Sequence, residues 1–149
     1  MVKLLLDGMC LSEERVIITS GGDIMHHIKA SSEGFCGFGE VYFSRVDFLA
    51  VKAWKRHLKM TLNLVVPVGQ VRFEFFDLRP ESRTCGRRLS IFLGENSYQR
   101  LTVPPGIWFG FQGSKQGLNM LANLADIEHD PTEVERLAID YFDVDWSHD

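Results

Sequence analysis

No stretch of this 149-residue sequence approaches the roughly 18 consecutive apolar residues that a membrane-spanning helix needs. The opening run Met1-Val-Lys-Leu-Leu-Leu is broken by Asp7 and is too short for the apolar core of a signal peptide. Cysteine is scarce and scattered. Cys10, Cys36 and Cys85 contain no C-x-x-C pair, which argues against a disulfide framework and against a cysteine-based zinc site. Free thiols fit a reducing compartment, so a cytoplasmic protein is expected. Positive charge is in deficit: 16 Lys and Arg against 20 Asp and Glu leave a formal net charge of −4. No nucleic-acid or membrane partner is therefore expected, although a local basic pocket is still allowed. No repeat period, low-complexity tract or Pro/Gly/Ser linker divides the chain, so residues 1–149 are expected to form one domain.

What is present is apolar and patterned for strands. Hydrophobic residues make up 45% and charged residues 24% of the chain, enough for a core and against disorder. Val71-Arg72-Phe73-Glu74-Phe75 alternates, with Val71, Phe73 and Phe75 on one face. Leu62 to Val66, Leu89 to Leu93, Arg100 to Val103, Ile107 to Gln112 and Leu118 to Leu124 read as further strands. Gly39 to Phe43 and Phe48 to Trp54 are upstream candidates. Pro67-Val68-Gly69-Gln70, Gly94-Glu95-Asn96-Ser97 and Pro104-Pro105-Gly106 supply turns and breaks. Short, closely spaced strands predict an all-β sandwich or closed barrel, and closure removes exposed edges.

One helix signal stands out. Asp130-Pro131-Thr132-Glu133 offers an N-cap, a proline at the first helical position and an acid in the first turn. Val134, Leu137 and Ala138 follow at helical spacing, so a short helix over about 131–138 is expected outside the barrel. Tyr141, Phe142 and Trp146 in the tail should dock on the barrel or on a partner subunit.

Two segments carry most of the functional signal. The first is Lys52-Ala53-Trp54-Lys55-Arg56-His57-Leu58-Lys59-Met60-Thr61, and the second is Leu101-Thr102-Val103-Pro104-Pro105-Gly106-Ile107-Trp108-Phe109-Gly110-Phe111. Together they resemble the two halves of a cupin barrel, a double-stranded β-helix or jelly roll. More narrowly, they resemble the family of dTDP-4-dehydrorhamnose 3,5-epimerases and related dTDP-sugar isomerases. In that family the first segment reads roughly Arg-Gly-Leu-His or Gly-x-His-x-His. The second reads roughly Ile-Pro-Pro-Gly-x-x-His-Gly-Phe. The similarity runs from about Gly22 to Leu137. It implies an epimerase- or isomerase-like enzyme acting on a nucleotide-activated 4-keto-6-deoxy sugar in surface-polysaccharide synthesis. It also implies a homodimer and cofactor-free proton abstraction. The alternative is a non-catalytic cupin that binds a sugar or sugar nucleotide.

Proton abstraction beside a ketone needs a base with a pKa near working pH, usually His. Lys55 stands at the epimerase His position and His57 at the second His of the isomerase pattern. Asn123 stands at the family Tyr. Three readings of the basic cluster remain open. His57 is the base with Lys55 stabilising an enolate or phosphate; or Lys52 and Lys55 bind a diphosphate without chemistry; or the strand is a solvated basic face. Strand parity puts Lys55 and His57 on one face and Arg56 on the other. A cation beside His57 lowers its pKa and keeps it neutral, as a base must be.

Metal cupins use two nearby His, a Glu and a later His. Here His57 is alone in its segment and Phe109 stands at the later position, so no metal site is expected. Among the aromatics, Trp54 and Trp108 are the candidates to stack on substrate, because each lies in a family-like segment. Ser44 matches a nucleotide-contacting position of the family. Asn63, opposite in pleat phase to Leu62 and Leu64, is either a ligand contact inside the barrel or a satisfied core amide.

Overall fold

The computed structural model describes residues 5–147; the apolar run before Leu5 and the last two tail residues lie outside the described residues. Its strands are β1 (Cys10–Glu13), β2 (Val16–Ile17), β3 (Ile24–Met25), β4 (Glu40–Val46), β5 (Val51–His57) and β6 (Leu62–Val68). They continue as β7 (Gln70–Phe76), β8 (Arg88–Gly94), β9 (Gln99–Val103), β10 (Trp108–Gly113), β11 (Asn119–Ala125) and β12 (Val134–Arg136). Two five-stranded sheets run in the orders β1-β9-β6-β11-β4 and β12-β5-β10-β7-β8, with β2 and β3 paired apart from them. The named strands pair antiparallel throughout.

The two sheets bury their inner faces against each other. Leu62, Leu64 and Val66 of β6 meet Val71, Phe73 and Phe75 of β7, with Leu101, Val103, Leu89, Ile91 and Leu93 completing the interior. The alternation in β7 is the reason: its odd positions go in, while Arg72, Glu74 and Phe76 face out. The β6–β7 turn is tighter than the four residues its Pro and Gly content suggests. It pivots on Gly69 alone, at φ +75°, where an added Cβ would lie 2.3 Å from Asn119 Oδ1.

Part of each outer face is covered, and this explains two departures from the expected pattern. On the first sheet, Arg100 is almost wholly buried. It donates to Asn63 Oδ1 (2.6 Å), Thr102 Oγ1 (2.9 Å), the Glu33 carbonyl (2.9 Å) and Glu14 Oε1 (2.8 Å). The Asn63 amide nitrogen donates to the carbonyl of Gly34 at 3.0 Å. Leu62 and Leu64 take the interior, so Asn63 points outward into this network beneath residues 14–36. The expectation that it could project into the barrel is corrected.

On the second sheet, the chain beyond β12 lies across Trp54 and Phe76. Phe142 stacks on Phe76 at 4.0 Å and meets Trp54 edge-on at 5.0 Å; Trp146 packs 5.6 Å from Trp54. The Trp54 indole donates to the Ile139 carbonyl at 3.0 Å. Phe142 and Trp146 therefore dock as expected, while Tyr141 remains exposed.

The helix expected over 131–138 does not form. Asp130 does cap, accepting from Thr132 N at 2.9 Å, but only one 3-10 turn follows, Pro131–Glu133. Residues 134–136 then pair with β5 as β12, and Leu137 exchanges backbone hydrogen bonds with Trp54 (3.1 and 3.2 Å). A helix of two turns is marginal on its own. The unpaired edge of β5 offers this segment a full ladder instead.

Trp54 is 1% exposed and Ile18 is 83% exposed. Trp54→Ala is expected to cost about 3–5 kcal/mol of stability, and Ile18→Ala no more than about 0.5 kcal/mol. Urea unfolding of the two variants, followed by near-UV circular dichroism, checks the contrast.

Candidate functional site

The site grows from an irregularity in β5. Against β10 the register shifts: Phe109 pairs with Lys55, while the next residue, Gly110, pairs with Ala53. Trp54 is the extra residue of a β-bulge, a device that re-aims side chains. Gly110 permits it, since a Cβ there would lie 2.6 Å from the Ala53 Cβ. Strict alternation puts Lys52 and Lys55, three residues apart, on opposite faces. The bulge instead brings both to one cavity and sends the Trp54 indole to the other side.

Past the bulge, alternation resumes. Arg56 turns outward to Glu135 (2.6 Å) and over the Trp108 ring (4.9 Å). Lys55 and His57 turn inward onto opposite parts of one Phe109 side chain. The Lys55 Nζ lies 5.7 Å from the ring centroid, and the His57 imidazole stacks on it at 6.1 Å and 19°.

The cavity beside them has a volume of about 360 Å³ and is lined by Ser44, Lys52, Ala53, Trp54, Lys55, Phe109, Phe111 and Arg136. A deeper recess of about 40 Å³ shares Ser44, Lys55, Phe109 and Phe111, and adds Tyr42, Phe73 and Leu121. Tyr42 and Ser44 are two apart on β4 and so share its inner face. Asn123 on β11 is the registered partner of Tyr42; its side-chain nitrogen donates to the Tyr42 hydroxyl oxygen at 3.0 Å. Burial pushes the Tyr42 pKa up, so the phenol keeps its proton.

Beneath Lys55 lies a buried ion pair. His57 and Glu133 are 4% and 2% exposed, and His57 Nδ1 is 2.5 Å from Glu133 Oε2. Burial pushes the Glu133 carboxyl up. The hydrogen bonds from His57 and from the Met60 and Lys59 amides outweigh that, and the net shift is downward. Glu133 is thus a carboxylate, and the proton in the short contact belongs to Nδ1. Burial likewise dominates at His57 and lowers its pKa. Glu133 opposes the shift through its hydrogen bond and charge, and Lys55 adds to it. The neutral ring therefore carries its lone pair on Nε2, and that atom is buried without a hydrogen-bond partner among the described residues. Lys55 is also lowered, by burial first and then by the positive charges of Arg136 and Lys52, against the pull of Glu133.

The structure sorts the residues singled out from sequence. Lys52, Lys55 and Ser44 line the cavity, and Asn123 sits behind Tyr42. His57 is on the same inner face as Lys55, yet its ring is enclosed behind Phe109 and does not line the open cavity. Trp108 is corrected as a stacking candidate, while Trp54 borders the cavity with its indole engaged elsewhere. The Trp54 indole belongs to the cluster with Phe76, Phe142 and Trp146, and Trp108 lies under Arg56 on the outer face. Phe109 and Phe111 belong to or pack against the core and also line the cavity. Sequence reading missed Glu133, Arg136 and Tyr42. Tyr42 was within reach, because its parity with Ser44 is visible on any strand there. Among the described residues no group of three or more His, Cys, Asp or Glu gathers as a metal site would require.

No family model matches the chain. It is 39% identical to a crystal structure of a dTDP sugar isomerase from Desulfovibrio desulfuricans G20, with a TM-score of 0.92 over 97% of this chain and 96% of that one. It is 35% identical over 104 residues to a probable low-salt glycan biosynthesis epimerase of Haloferax volcanii. That match covers 66% of this chain and 65% of the relative, just under two-thirds of the latter's length. A dTDP-4-dehydrorhamnose 3,5-epimerase from Elizabethkingia anophelis NUHP1 shares the fold, with a TM-score of 0.81 over 99% of this chain and 86% of that one, at 16% identity.

His57 is expected to titrate below the ordinary histidine value of about 6.5, as the Nδ1–H tautomer when neutral. Glu133→Gln removes an acceptor and a charge that both favour the imidazolium, so the midpoint should fall further. Since the folded ring is harder to protonate than the unfolded one, its contribution to stability is complete above pH about 6.5 and is lost as pH falls through the folded-state value. Long-range 1H–15N spectra across pH read both midpoint and tautomer; a midpoint above that of free histidine contradicts the assignment.

Proposed function

The chain belongs to the family of dTDP-sugar isomerases and epimerases, and from this premise we propose that it is a sugar-nucleotide epimerase or isomerase of surface-polysaccharide synthesis, acting on a nucleotide-linked 4-keto-6-deoxy sugar. The observation that carries the proposal is the buried His57–Glu133 pair set behind Phe109, a wall of a cationic cavity. In this reading the fold is the cupin barrel, and the reaction is proton removal from carbon beside the ketone, followed by return of the proton elsewhere.

His57 Nε2 is the base. Glu133 holds the ring in the tautomer that leaves Nε2 free and stabilises the imidazolium that forms, the role of an orienting carboxylate. Tyr42, held by Asn123 on the deep side of the recess, is the proton donor. Lys55 meets the charge that develops on the keto oxygen. Lys52 and Arg136, at the mouth of the cavity, take the diphosphate. The sugar reaches Nε2 when the Phe109 side chain turns aside, since it stacks on the imidazole between that ring and the cavity.

The same reading includes a homodimer in the cytoplasm. Val41 and Phe43 on the outer face of β4 are 45% and 64% exposed, an apolar surface suited to a second copy. The described cysteines are free thiols, which suits a reducing compartment. Among the described residues no helix is long and apolar enough to cross a membrane.

Incubation with dTDP-4-keto-6-deoxyglucose in heavy water should place deuterium beside the ketone. His57→Asn should slow that uptake by about 10²–10⁴-fold. Binding without any exchange would instead identify a sugar-nucleotide module with no chemistry. Sedimentation equilibrium should give a dimer mass, and Phe43→Glu should shift it toward monomer; an unshifted wild-type monomer removes the dimer from the reading.

A further inference from the structure

We propose that Lys55 is a covalent catalyst: its amine condenses with the ketone of the sugar to give a Schiff base, and proton abstraction then yields an enamine in place of a free enolate. The inference rests on the function proposed above and deepens it.

Three features of the site converge on Lys55. The first is access. Lys55 is the one amine that lines both the open cavity and the deep recess, so it lies where a ring entering from the mouth must pass. The second is the absence of a counter-ion. The ammonium has no hydrogen-bond or ion-pair partner among the described residues; its close neighbour is the face of Phe109. The nearest described charges that bear on it are mixed, with Arg136 and Lys52 opposing the cation and Glu133, already engaged by His57 and two amides, favouring it. A lysine meant only as a fixed charge is best served by a fully ionised ammonium. A lysine among cations and apolar rings is instead poised to lose its proton, which is the activation a nucleophilic amine requires; burial and the two cations do lower its affinity for a proton. The third feature is the placement of the base. His57 stacks on the same phenyl ring that Lys55 Nζ approaches, so one side chain, Phe109, separates the imidazole from the amine's cavity, and its displacement brings both to one substrate.

The steps balance without any added oxidant or reductant. The lone pair of neutral Lys55 Nζ forms a bond to the ketone carbon, and one Nζ proton passes to the carbonyl oxygen to give a neutral carbinolamine. Protonation of that hydroxyl by Tyr42, whose oxygen already accepts from Asn123, lets it leave as water and leaves Tyr42 as phenolate. The nitrogen becomes an iminium with one positive charge. His57 Nε2 then removes the adjacent C–H proton. The C–H electron pair becomes the enamine double bond, and the iminium nitrogen is neutralised. Reprotonation of the enamine regenerates the iminium; water adds to it and returns a proton to Tyr42; the carbinolamine hydroxyl then gives its proton back to Nζ, and the ketone departs from a free, neutral Lys55.

Lys55→Arg separates this mechanism from simple charge stabilisation, because it keeps the cation and cannot form an imine. The experiment incubates wild type and Lys55→Arg with dTDP-4-keto-6-deoxyglucose and sodium cyanoborohydride, maps adducts by peptide mass spectrometry, and follows deuterium uptake in parallel without reductant. Thermal unfolding confirms that the variant is folded. The expected result is a reduced secondary-amine adduct on Lys55 in wild type, none in the variant, and uptake slowed in the variant by about two orders of magnitude, the scale of a lost catalytic group. Uptake in wild type with no adduct on Lys55, an adduct confined to Lys52 or another lysine, or uptake that survives in Lys55→Arg overturns the proposal and leaves the epimerase reading standing. An adduct on Lys55 with no uptake supports the amine chemistry and overturns the epimerase reading. Neither adduct nor uptake overturns both.

Discussion

A carboxylate withdrawn from water holds this site together. Glu133 reaches across 76 positions of sequence to His57, and its other oxygen accepts from the amides of Lys59 and Met60 just beyond the end of β5. An isolated carboxylate would not stay ionised at that depth. Three donors make it stable, and each fixes something: the imidazole tautomer, the turn that ends β5, and the position of the segment that carries Glu133 itself. Removing one partner of such a buried pair typically costs about 3–5 kcal/mol, because the other is left uncompensated.

The same segment then does further work as a strand. β12 closes the free edge of β5, Arg136 reaches the cavity mouth, and the chain beyond lays Phe142 and Trp146 over Trp54. The inner face of β5 presents Lys52, Lys55 and His57, while its outer face is clamped by aromatic packing. Rigid support behind a reactive face is what a proton-transfer site needs, since reacting atoms must be held within a fraction of an ångström of their working geometry. Gly106, in the Pro104-Pro105-Gly106 turn, adds to it by donating its amide to the His57 carbonyl at 2.7 Å.

Much of this architecture is legible in the residues. The alternation of Val71, Phe73 and Phe75 marks the inner face of β7, and the proline pair before Gly106 marks the break that precedes β10. Parity alone puts Lys55 and His57 together. Parity also misleads, in two places. It puts Lys52 on the face away from Lys55, because a bulge is set by the partner strand and leaves no mark in its own. It leaves the direction of Asn63 undecided, because the cover over that face, Arg100 and residues 14–36, comes from distant parts of the chain. Glu133 was hidden for a different reason. Its local setting is that of a first-turn acid, and Asp130 does cap the turn, but the open edge of β5 outcompetes a short helix.

The bulge at Trp54 also bears on how such a site can diverge. A substitution within β5 changes a charge where it stands. A side chain at Gly110, on the partner strand, would change which charges face inward: a Cβ there meets the Ala53 Cβ at 2.6 Å, and if β5 answers by giving up the bulge at unchanged length, plain alternation parts the two amines to opposite sides of the sheet while the composition of β5 does not alter. One glycine of β10 thus sets the electrostatics of the strand beside it. Relatives with a larger residue there are the ones in which a different set of anionic groups should be accommodated.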